Sequence, residues 1–70
     1  MKYLVILEPT DDGYSAYSPD LAGCVAAGDD REETLELMRE AMAFHIEGME
    51  AEGLDVPAPS SEAELIEVGV

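Results

Sequence analysis

Residues 2–8, Lys-Tyr-Leu-Val-Ile-Leu-Glu, are almost continuously apolar and rich in β-branched and aromatic side chains. Such a run predicts a strand covered on both faces. Pro9 and the Asp11-Asp12-Gly13 cluster then turn the chain, Asp-Gly being a strong hairpin signal. Tyr14–Ser18 alternates as a second strand, Pro19-Asp20 punctuates it, and Cys24–Ala27 reads as a short third strand ending at Gly28. A helix begins at Asp29 or Asp30, since either places an acid three residues on, Glu32 or Glu33, to complete a cap. It runs to about Glu52, with Gly53 placed to end it and Leu54 as an apolar clamp beyond. Val56-Pro57-Ala58-Pro59 is an extended connector, and Ser60 and Ser61 are candidates to cap one further turn. Leu65–Val70 then reads as a last strand with Ile66, Val68 and Val70 on one face. The predicted fold is α+β in the order β-β-β-α-β: a three-stranded antiparallel meander, one long helix and a last strand, in one domain over residues 1–70.

Spaced at 100° per residue, Glu32, Glu33, Glu36, Arg39, Glu40, Glu47 and Glu50 share one polar arc of the helix. Met38, His45 and Met49 centre the opposite arc, Leu35, Met42 and Ile46 flank it on one side, and Leu37 and Phe44 fall near its other edge. One helix covers one face of a sheet, yet Leu4 and Ile6 alternate against Tyr3, Val5 and Leu7, so apolar side chains remain on the uncovered face. A surface of that kind marks an interface. The expectation is a homo-oligomer built through Leu4 and Ile6 on the open sheet face, or through Leu37 and Phe44 at the helix edge.

Composition narrows the function classes. Seventy residues make a thin core, and such domains are usually stapled by disulfides or metal, or they associate. One cysteine and one histidine supply neither staple. With 47% hydrophobic residues the chain is no disordered acidic tail. The run Tyr3–Leu7 is far short of the roughly 20 residues that span a bilayer. No signal-peptide pattern is present, and the lone cysteine suits the reducing cytosol, so a cytoplasmic location is expected. Seventeen acids against three bases (Lys2, Arg31 and Arg39) give a net charge of −14. Phosphate backbones are held by Lys and Arg, so direct nucleic-acid binding by this chain alone, or docking on an anionic membrane, is not expected. The acidity fits a basic partner or a solvated surface suited to high salt.

Little in the chain carries chemistry. Cys24 and His45 are the available nucleophile–base pair, but a reactive thiol needs an electropositive setting that this chain lacks, and a packed Cys beside a core His is the simpler reading. The acids fall in turns, caps and the polar helix arc rather than converging from strands, and Asp11-Asp12-Gly13 lacks the spacing of a calcium loop. Gly13, Gly23 and Gly28 do not form a phosphate loop. No cofactor, no metal site and no enzymatic activity are expected.

The order Gly13-Tyr14, Ala16-Tyr17, Pro19-Asp20-Leu21, Gly23-Cys24, Gly28-Asp29 and Glu32-Glu33 resembles the HicB-like antitoxins. Glu40-Ala41, then His45-Ile46-Glu47-Gly48, and Val56-Pro57-Ala58-Pro59 after Gly53 continue the likeness, which covers about Lys2 to Ser60. Asp30 stands where the family more often has Thr, and keeps the capping role. The resemblance implies a degenerate ribonuclease H-like fold and an antitoxin of a type II toxin–antitoxin pair. Its partner is then a small basic ribonuclease toxin of the HicA type, which cleaves messenger RNA. A short member without the family's DNA-binding domain is expected. The candidate partner-binding residues are Asp11, Asp12, Tyr17, Asp20, Asp29 and Asp30, grouped by the turns, with the helix acids as the rival surface. The alternative function is a stand-alone acidic oligomer of structural or regulatory role, and an adjacent gene for a basic ribonuclease separates the two.

Overall fold

The computed structural model describes residues 1–69. Strands β1 (Ile6–Thr10), β2 (Gly13–Tyr17) and β3 (Val25–Gly28) form one antiparallel sheet in the order β1-β2-β3, and helix α1 spans Arg31–Ala51. The register pairs Ile6 with Tyr17 and Thr10 with Gly13, and then Tyr17 with Val25 and Tyr14 with Gly28.

The first strand is displaced from the expected 2–8. A ladder is only as long as its middle strand, and β2 leaves the sheet at Ser18-Pro19, so residues 2–5 have no backbone partner to pair with. The Ser18 hydroxyl donates to the Leu4 carbonyl at 2.8 Å. The expected last strand is also absent. Residues 65–69 form no strand and are exposed, and Val70 lies outside the described residues. Alternation of Ile66 and Val68 supplies a face but no partner, and no sheet edge stands beside them. Nor do Ser60 and Ser61 start a helical turn.

The helix ends as its sequence dictates. Asp30, rather than Asp29, is the N-cap: its carboxylate accepts from the Glu33 N–H at 2.8 Å. At the other end Gly53 takes φ 72°, its N–H donates to the Glu50 carbonyl, and the Leu54 N–H donates to the Met49 carbonyl at 2.9 Å. This is a Schellman closure, which a left-handed glycine makes without strain.

Ala16, Leu21, Cys24 and Met38 are the buried core, with Tyr3, Val5, Leu7, Ala26, Ala41, Met42 and Ile46 packed partly buried around it. Thr34 is wholly buried, donating its hydroxyl to the Asp30 carbonyl at 2.7 Å, and seats the first helical turn on Gly28. The Cα radius of gyration is 13.9 Å, against about 11 Å for a compact chain of this length. The excess comes from the C-terminal segment, whose residues 60–69 are all exposed in a particle 48 Å long and 17 Å thick.

A Cβ on Gly13 would collide with the Gly28 backbone carbonyl. Gly13→Ala is expected to destabilise by roughly 1–3 kcal/mol as β2 and β3 are forced apart. Gly48, inside the helix, has open space around it, so Gly48→Ala is expected to stabilise by about 0.5–1 kcal/mol. Urea unfolding midpoints of the two variants should move in opposite directions.

Candidate functional site

The residues singled out for partner binding do not form one cluster. Asp11 and Asp12 make the β1–β2 turn, and β3 ends beside it, with the Asp29 Cα 3.1 Å from where a Cβ on Gly13 would stand. Asp29 leads into Asp30, and Glu32 and Glu33 follow in the first helical turn. One end of the molecule therefore gathers six carboxylates against a single base, Arg31. Local chemistry puts them there. Asp suits a tight turn and an N-cap, and acids are favoured at the positive end of the helix dipole. Asp30 has one carboxylate oxygen engaged in capping, whereas Asp11, Asp12 and Asp29 are exposed.

Tyr17 and Asp20 lie at the opposite end of the sheet, about 13 Å from Gly13 along β2. Asp20 is occupied from within the chain. Its carboxylate accepts from the N–H groups of Ser60 and Ser61, both at 3.0 Å, and from their hydroxyls at 3.2 and 2.8 Å. The Ser61 N–H foremost, followed by that of Ser60, holds the carboxyl down at about 2, against an ordinary 3.8. Asp20 is thus a clamp on the C-terminal segment. The Tyr3 hydroxyl donates to the Pro57 carbonyl as a second tether.

Tyr17 belongs to another surface. Pairing places Ile6, Tyr17 and Val25 in one row across the sheet face opposite the helix, with Leu4 following Ile6 on that face. Leu4 and Ile6 are half-buried, Tyr17 is exposed, and Val25 is 66% exposed. On this face Tyr17 and Val25 are the exposed apolar side chains, while Leu4 and Ile6 are partly covered. Alternation with the inward Cys24 and Ala26 is the signal that points Val25 outward. Leu37 is exposed at the helix edge and Phe44, at 79%, stands further out, beside a shallow groove with Ala41, Gly48 and Leu54.

The chemical candidates resolve simply. Cys24 is buried in the core, and burial pushes its thiol above the ordinary value, opposite to what a nucleophile requires. His45 is half-buried beside Phe44 and Met49. Among the described residues no three His, Cys, Asp or Glu side chains converge as a metal site, and no helix is long and apolar enough to cross a membrane. A further groove, which sequence reading missed, lies between the unpaired residues 1–5 and helix α1. Only the tertiary placement of the strand end beside the helix creates it.

Because the Asp20 carboxyl is lowered in the fold, its clamp is present above about pH 4 and lost as pH falls through about 2. The Ser60 and Ser61 amide resonances should titrate together with that low midpoint. In Asp20→Ala they should lose the response while the helical circular dichroism is kept.

Comparison with known proteins places residues 3–68 in the family described as HicB_like antitoxin of bacterial toxin-antitoxin system. An uncharacterized 14.9 kDa protein of Haemophilus phage HP1 is 40% identical over 57 residues, which are 81% of this chain and 43% of that protein. The chain thus matches less than half the length of that relative. A UPF0150 protein of Synechocystis is 43% identical over 56 residues, covering 79% of this chain and 71% of the relative. One of Thermoplasma acidophilum is 33% identical over 63 residues, covering 89% and 91%. Among solved structures, a chain of a HicA3 and HicB3 toxin-antitoxin complex superposes with a TM-score of 0.73. It is 33% identical, and the match covers 86% of this chain and 70% of that one.

Proposed function

The chain belongs to the HicB-like antitoxins of bacterial toxin–antitoxin systems, and on that premise we propose that it binds and neutralises a small basic ribonuclease of the HicA type. A ribonuclease holds its messenger-RNA substrate through Lys and Arg on the phosphates. An acidic protein seated on those side chains competes with RNA for the same charges. The observation that carries this reading is the gathering of Asp11, Asp12, Asp29, Asp30, Glu32 and Glu33 at one end of the molecule. The similar solved structure is a complex between a HicA toxin and its antitoxin, which supports a toxin as the partner class.

On this reading the chain acts by occupancy in the cytoplasm and performs no catalysis. Of the residues first considered, Asp11, Asp12 and Asp29 are the contact acids. Asp30 contributes charge while it caps the helix, Tyr17 belongs to the open sheet face, and Asp20 serves the clamp. Long-range attraction between a chain at −14 and a basic partner accelerates encounter by roughly 10–10³-fold, and salt screens it within about 8 Å at physiological strength.

The test is the triple variant Asp11→Asn, Asp12→Asn, Asp29→Asn, with Asp30 kept so that the helix cap survives. Its association rate with a HicA-type toxin at low salt should fall by about tenfold, with an unchanged melting temperature, and its rescue of growth in cells expressing the toxin should weaken. A variant that associates as fast as the parent, or a parent rate indifferent to salt, contradicts the proposal.

A further inference from the structure

Helix α1 carries a second apolar stripe that the sheet does not cover. Leu37 and Phe44 are exposed, Phe44 at 79%, and Ala41 and Gly48 lie beside them along a shallow groove of about 440 Å³. Positions 37, 41, 44 and 48 advance by four, three and four residues, the spacing of a seam that pairs with another helix. Large side chains alternate with small ones along it. Glu33, Glu40 and Glu47 repeat every seven residues and run, exposed, along the solvent side of the same seam. Charges at that flanking position choose the partner of a paired helix.

Gly48 points the same way. Its surroundings are open and its φ is not left-handed, so neither packing nor backbone within the chain requires a glycine there. A glycine inside a helix weakens it relative to alanine. A gap beside Phe44 is, however, the hole into which a side chain of an approaching helix fits.

We propose that this seam takes an amphipathic helix of another protein, one whose apolar stripe is flanked by Lys or Arg. An apolar side chain of that helix enters beside Gly48, Phe44 packs against its stripe, and its bases meet Glu40 and Glu47. A second copy does not fit. Of its bases, Lys2 lies off the helix, Arg31 precedes the seam and Arg39 lies on the opposite arc, so it brings the same row of glutamates instead. Like charges across the pair select against it. The seam is also distinct from the acidic end, since Phe44 stands about 20 Å along the helix from Arg31. The proposal therefore stands independently of the toxin reading.

The probe is a synthetic three-heptad peptide with Leu along its seam and Lys on both flanks, beside a peptide of the same composition in scrambled order. Fluorescence anisotropy with the full chain should show the patterned peptide binding at least tenfold more tightly than the scrambled one. Gly48→Leu, which fills the hole, and Phe44→Ser should each weaken that binding at least tenfold while the helical circular dichroism is kept. Glu40→Lys/Glu47→Lys should reverse the preference, toward a peptide with Glu in place of Lys. Amide resonances of the parent should shift at Leu37–Gly48 and not at Asp11–Gly13. Equal binding of the patterned and scrambled peptides, a Gly48→Leu variant that binds no more weakly than the parent, or an unreversed charge preference overturns the proposal. So do shifts confined to the acidic end, or a dimer of the parent that Phe44→Ser abolishes.

Discussion

Met38 packs against Ala16, Leu21 and Cys24, and this one contact layer between helix α1 and the inner face of the sheet holds the domain together. A single helix reaches a single face. Apolar side chains demanded by the strand sequences on the other face, Ile6, Tyr17 and Val25, therefore stay outside, as does Phe44 at the edge of the helix. Among the described residues four buried apolar side chains make a thin core for a domain of this size. A core this thin leaves the open surfaces as the place where association adds most.

Charge imposes the second constraint. Acids at the start of α1 are favoured by the dipole, but its last turn carries Glu50 and no base, which the dipole opposes by about 0.3–1 kcal/mol. Local helix chemistry does not explain acids at both ends, and self-repulsion at −14 works against compactness. A surface held acidic against its own local interest makes physical sense where a cationic partner neutralises it. The Asp20 clamp shows the same economy inside the chain: its carboxylate gathers four donors from Ser60 and Ser61 and fixes where the C-terminal segment departs.

Features set by near neighbours in the chain were legible in the sequence. The Asp11-Asp12-Gly13 hairpin, the capping choice at Asp29 or Asp30, the Gly53 closure with Leu54 and the inward course of Met38 all depend on residues within a few positions of one another, and each stands in the structure. Pairings over long separations were not. Residues 2–5 have the composition of a strand, but strand pairing also needs a partner, and β2 ends at Tyr17. Leu65–Gly69 has the alternation of a strand with no edge beside it. Ser60 and Ser61 suggested a cap, and the atoms they bond lie some 40 residues away on Asp20. The candidate contact set divided for the same reason. Adjacency in the list of turns is not adjacency in space, so Asp11, Asp12 and Asp29 meet while Tyr17 and Asp20 stand a strand length away.

On the proposed function, a basic toxin seats on the acidic end of the molecule. Amide hydrogen exchange reads that contact on the native chain, alone and then saturated with a HicA-type toxin. The account predicts slowed exchange at Asp11–Gly13 and Asp29–Asp30 only when toxin is added. Toxin protection confined to residues along the polar arc of α1 would contradict it, with the acidic end left unchanged.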